Sequence, residues 1–159
     1  MAANPIHPQI DPRGPRFGAA VTAVVLAVAI ILGPAIGLPV LIIQTVAFGA
    51  GSLLGLRYQP YGWAFRRFVR PRLAPPAELE DERPPRFAQS VGFGFAVIAL
   101  AGALLGAPVV FYVAAGFALV AAVLNAVFNF CLGCELYLLG RRRLGRAGAA
   151  GRPAQGGAR

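Results

Sequence analysis

The chain alternates between long apolar stretches and polar segments that carry its arginines. Residues 17–32 hold no charge, 38–56 follow after the short turn 33–37, and 87–105 and 108 to about 130 repeat the arrangement across Gly106 and Ala107. Each run is close to the ~20 residues a helix needs to cross a ~30 Å hydrocarbon layer. None alternates apolar and polar as a barrel strand does, and unpaired backbone in lipid is too costly for anything but helices or closed barrels. The pattern predicts an all-α integral membrane protein. Its four transmembrane helices form two tandem hairpins, 16–56 and 87–140, the second ending in Cys-Leu-Gly-Cys. The first run reads as a retained helix rather than a signal peptide, because a polar, Pro-rich segment precedes it and the second run follows at once.

Composition agrees: 57% of residues are hydrophobic and 13% charged, against roughly 25% charged in an average soluble domain. The formal charge of +9 would suggest a nucleic-acid partner in a soluble protein. Here all fifteen cationic residues are arginines outside the apolar runs. They lie in 1–16, 57–86 and 141–159, while the turns 33–37 and 106–107 have none. Under the positive-inside rule both termini and the central segment are cytoplasmic. The expected location is a multi-pass position in the cytoplasmic membrane, with the lipid bilayer as partner and no nucleic acid.

Two stretches align. Asp11, Arg13, Pro15, Arg16 and Phe17 match Asp81, Arg83, Pro85, Arg86 and Phe87 in register. Because both copies start on the same side, this predicts a parallel repeat about an axis along the membrane normal. The repeat places YGWAF at 61–65 opposite LGCEL at 132–136.

Between the hairpins, in 57–86, Pro60 and Pro71 bracket a short amphipathic helix. Phe65, Phe68 and Val69 are expected on one face and Arg66, Arg67 and Arg70 on another. Tyr58, Tyr61 and Trp63 would sit in an aromatic belt at the cytoplasmic interface, the arginines near anionic headgroups and an acidic, Pro-rich loop beyond. Residues 1–15 read as a cytoplasmic segment and 141–159 as a basic tail without a face to bury.

The candidate chemistry is the pair Cys131 and Cys134. Two thiols at this spacing can be a redox pair, half of a metal site, or two small apolar side chains in a helix. Placed at the cytoplasmic end of the last helix they face a reducing compartment, which favours a transient over a permanent disulfide. A regular helix does not bring such a pair into bonding geometry, so local unwinding is required, with Gly133 as the residue to permit it. Read as lying toward a helix C-terminus, the thiols are opposed as anions by the helix dipole and by Glu135, and favoured by Arg141, Arg142 and Arg143. A zinc site needs four ligands, and only Glu135 and His7 remain to complete one. No cofactor or metal is therefore assigned. Asn125 and Asn129 read as interhelical hydrogen-bond partners inside the bundle. No Ser-His-Asp set, phosphate loop or paired intramembrane carboxylate is present, which argues against independent hydrolase or kinase activity.

With these motifs the chain resembles actinobacterial membrane proteins grouped as domain of unknown function 4395: Asp11-Pro12-Arg13 with Arg16-Phe17, Tyr61 to Arg66, Arg86-Phe87, and Phe130 to Cys134. The resemblance covers about 10–143. It implies a four-helix membrane domain associated with thioredoxin-like and sulfurtransferase proteins, and gives no catalytic residues to transfer. Three functions stay in view: a thiol-redox or sulfur-relay accessory protein using Cys131 and Cys134, a small-solute transporter subunit acting as a homo-oligomer, and a structural membrane scaffold.

Overall fold

The computed structural model describes residues 8–150, most of them helical; His7 and residues 151–159 lie outside the described residues. The elements are β1 (Gln9–Ile10), α1 (Arg13–Ile36), α2 (Leu38–Gly49) with a wider π turn (Ala50–Leu54), α3 (Pro60–Ala64), β2 (Glu80–Asp81), α4 (Arg83–Leu104), α5 (Pro108–Phe128) and α6 (Leu132–Ala150). A π turn (Phe65–Val69) and a 3₁₀ turn (Arg70–Arg72) prolong α3. Helices α1, α4 and α5 are each long and apolar enough to cross a membrane, and Leu38–Leu54 is a shorter apolar helix. Together they fit a multi-pass membrane protein. Ile31, Ile43, Val46, Leu105, Val109 and Phe128 lie well exposed on their outer surface, an arrangement that water penalises and lipid does not.

Inside, Leu26 and Ala29 of α1, Leu41 of α2, Ala99 of α4, and Phe111, Ala115 and Ala118 of α5 form one buried cluster. Alanine on facing helices lets backbones approach closely, the packing that works where lipid is as apolar as the side chains. Segment 33–37 turns the chain from α1 to α2. Gly33 leaves the helix at φ 77°, and a Cβ on Gly37 would lie 2.3 Å from the Ala29 carbonyl oxygen. Only glycine fits there.

The ends of the long helices at residues 13, 54, 83 and 128 gather together, and the same contacts occur there twice. Ahead of α1, Asp11 accepts the Arg13 backbone N–H at 3.0 Å and the Arg13 guanidinium at 2.8 Å. Ahead of α4, Asp81 accepts the Arg83 N–H at 2.9 Å and its guanidinium at 2.5 Å. The cations then cross over. Arg16 of α1 donates to the Ala126 carbonyl near the end of α5, while Arg86 of α4 donates to the Ser52 and Leu53 carbonyls near the end of Leu38–Leu54. Each thereby supplies a positive charge where the helix leaves carbonyls unpaired. Strands β1 and β2 pair antiparallel with Ile10 opposite Glu80, residues separated by the same interval as Asp11 and Asp81.

The Arg13 guanidinium holds the Asp11 carboxyl below its ordinary value. A carboxylate depressed in the fold adds stability above its unfolded-state value and loses it as pH falls through the folded one. The start of α1 is thus secured at neutral pH and weakened only in acid.

Candidate functional site

The two cysteines stand where a helix begins. The α5 helix closes at Asn129, which adopts the left-handed conformation (φ 55°, ψ 28°) and turns its N–H to the Leu124 carbonyl. Asparagine tolerates that conformation better than most residues. Cys131 follows at the cap of α6: its carbonyl accepts the Glu135 N–H at 3.0 Å, and its sulfur accepts the Cys134 N–H at 3.3 Å. The placement toward a helix C-terminus is therefore corrected. The dipole of α6 favours a negative sulfur at Cys131 instead of opposing it. Because the cap residue lies outside the helical turn, the pair comes together without unwinding α6; the cysteines are joined as a disulfide with Cα atoms 5.2 Å apart.

Gly133 has a different task from the one its flexibility suggested. A Cβ there would lie 2.5 Å from Ala88 Cα, so glycine lets α6 lie directly on the first turns of α4. Phe87 and Tyr137 follow with ring centroids 5.8 Å apart. The helix continues through 141–150, part of the segment assigned to an unstructured tail.

Two cavities meet at the disulfide. An apolar one of about 270 Å³ lies among α1, α2, α4, α5 and α6, walled by Phe48, Phe95, Phe117 and Ala121 and reaching Cys131. A more polar cleft of about 390 Å³ is lined by Arg16, Asp81, Asn129, Glu135 and both cysteines. Cys131 and Asn125 border both; Cys134 borders the cleft alone. Neither asparagine is spent as an interhelical clamp. Asn129 terminates α5 in an exposed position, and Asn125 makes no hydrogen bond among the described residues. No three His, Cys, Asp or Glu side chains cluster as metal ligands among the described residues.

The residues assigned to the membrane interface separate into two groups. Tyr58, Trp63 and Phe68 are each more than half exposed, with Trp63 and Phe68 edge to face at 5.8 Å, and the Arg57 guanidinium lies 5.3 Å from the Tyr58 ring centre. Arg67 is exposed, Arg66 donates to the Arg57 carbonyl, and Arg66 and Arg70 border a smaller cavity. Phe65 and Tyr61 turn inward. Phe65 is buried against Phe17 and Gly14, and the Tyr61 hydroxyl donates at 2.9 Å to Gln44 Oε1. Phe65 and Phe68 part company because the turn 65–69 is π rather than α, and its extra residue per turn rotates positions three apart off a common face.

Gln44 is completely buried and donates in turn to Thr22 Oγ1 at 3.3 Å. Thr22–Gln44–Tyr61 is a polar network that the sequence offered only as isolated amides and hydroxyls. Burial raises the Tyr61 phenol above its ordinary value, keeping it a neutral donor. Tyr61→Phe leaves Gln44 Oε1 without this partner, and should cost about 1–3 kcal/mol, measured as a lower melting temperature in detergent. An unchanged melting temperature would mean that the network adds nothing.

The model of a family described as Domain of unknown function (DUF4395) matches residues 10–142, and the chain belongs to that family. No curated protein and no solved structure matches the chain.

Proposed function

We propose that the chain is a four-span membrane thiol–disulfide protein, built from two parallel hairpin repeats, whose Cys131–Cys134 pair exchanges two electrons with a soluble dithiol partner of thioredoxin-like or sulfurtransferase type. The repeat is supported by the twice-used Asp-x-Arg contacts and the crossed arginines. The four spans are supported by the apolar helix Leu38–Leu54 beside the three longer ones. A cytoplasmic position for the thiol end is supported by the arginines gathered there.

The carrying observation is the bridged pair at the cap of α6, bordering the polar cleft. Cys134 borders only the cleft, so a partner thiolate arriving from solvent attacks the Cys134 sulfur and expels Cys131 as thiolate. There the Cys134 N–H and the α6 dipole receive the negative charge. The partner's second thiol then attacks the mixed disulfide. The partner ends as a disulfide and the chain as a dithiol, two electrons and two protons having passed inward. Gln44 and Thr22, polar groups within the apolar helices, are bonded to one another, which favours the thiol reading over transport.

Acid-quenched membranes labelled with a mass-tagging maleimide test this. Cys131 and Cys134 should appear as a mixture of doubly tagged and untagged protein, shifting toward untagged on oxidant challenge. A pair that remains in one state whatever the challenge refutes the exchange.

A further inference from the structure

The apolar cavity ends on Cys131, and the pair it reaches is a two-electron donor once reduced. We infer that this cavity is a quinone site: a lipophilic quinone enters between the helices and reoxidises the Cys131–Cys134 dithiol. The inference rests on the thiol–disulfide reading above and names its electron acceptor.

Four observations converge on that class of ligand. The cavity is walled by aromatic and small side chains, including the Phe95 and Phe117 rings with centroids 6.0 Å apart and planes inclined by 28°, surfaces suited to a flat ring. Its volume of about 270 Å³ lies just below the ~300–1,000 Å³ of ordinary ligand sites; it therefore holds a ring while an alkyl tail leaves along the lipid-facing helices. At the Cys131 end, Asn125 presents a carboxamide with no partner among the described residues, a donor for a ring carbonyl. Finally, Cys131 borders both this cavity and the cleft while Cys134 borders only the cleft. Electrons thus enter at Cys134 from solvent and leave at Cys131 toward lipid.

The reaction balances. Two S–H bonds break and one S–S bond forms, and the two electrons and two protons released convert the two quinone carbonyls to the hydroxyls of a hydroquinone. The acceptor must dissolve in the apolar layer and take two electrons with two protons, and quinones do both.

The test uses the full chain in lipid nanodiscs and a benzoquinone substituted at every ring position, so that a thiol cannot add to the ring. Reduced protein should consume one quinone per dithiol, followed by quinone absorbance and by loss of maleimide tagging. Ala121→Phe fills the cavity and Asn125→Leu removes the donor. Each should slow quinone reduction by about tenfold or more as positioning of the bound ring is lost, while in Ala121→Phe, whose site does not border the cleft, reaction with a soluble dithiol stays unchanged. Because a filled cavity can disturb folding, a second measurement uses Cys131→Ser with Cys134→Ser. This protein should still bind the quinone saturably, and Ala121→Phe should abolish that binding. Saturable binding without any dithiol exchange would refute the thiol partner and sustain the quinone site. Absence of saturable binding, or equal rates in the filled and unfilled proteins, overturns the site. So does a charged, water-soluble quinone that reacts as fast as the lipophilic one.

Discussion

Gly133→Val is expected to lift α6 from α4 and lower the melting temperature of the protein in detergent. The added Cβ would meet Ala88 Cα at 2.5 Å and Ala88 Cβ at 2.6 Å. A backbone atom cannot yield as the end of a flexible side chain would. Overpacking of this kind typically costs about 1–3 kcal/mol, and a branched residue on a helix–helix seam belongs at the upper end. The disulfide is anchored through the first turn of α6, so labelling of Cys131 and Cys134 after mild reduction should become faster in this variant. Gly140 supplies the control. Nothing lies within 4 Å of a Cβ placed there, and Gly140→Ala should be neutral or stabilising by up to about 1 kcal/mol, the usual gain of alanine over glycine within a helix. If Gly133→Val melts with the wild type, the close approach of α6 to α4 contributes nothing.

The second large effect separates the two cysteines. Either serine substitution should abolish two-electron cycling, since one sulfur cannot form the internal bridge. Their one-step reactions should nevertheless differ. Cys134→Ser keeps Cys131, whose sulfur sits at the cap of α6 and accepts the residue 134 N–H at 3.3 Å in the parent protein. Cys131→Ser keeps Cys134, whose own N–H no longer faces a sulfur. A hydrogen bond to a charged group contributes about 1.5–3 kcal/mol, so Cys131 should react with a chromogenic disulfide about tenfold faster than Cys134 near neutral pH, with the difference shrinking as pH rises and both thiols ionise. Equal rates, or the reverse order, would remove the cap from the mechanism.

The helix positions were legible because an apolar run must be satisfied by its own backbone hydrogen bonds, leaving little freedom over 17–32 or 87–105. The Asp-x-Arg starts were legible as paired motifs, although the sequence did not say that Arg16 and Arg86 would reach across to Ala126 and to Ser52 and Leu53. The site was legible in identity but not in setting. From Phe128 to Leu139 the chain remains apolar enough to read as one helix running past the cysteines. A single left-handed residue, Asn129, divides it and reverses the sense of the dipole at the thiols. The signal was Asn ahead of Phe-Cys, a helix stop followed by a cap, and the apolar run outweighed it. Similarly, Phe65 and Phe68 were placed on one face by counting at the α period, which the π turn does not keep.

The crossed arginines also bear on biosynthesis. Arg16 is made early, yet the Ala126 carbonyl it meets is among the last parts of the bundle to leave the ribosome. Ser52 and Leu53 must wait for Arg86 in the same way. Neither hairpin can finish its own helix ends. If, as proposed, the two hairpins enter the bilayer in turn, the arginine-rich end closes only once the second has been made.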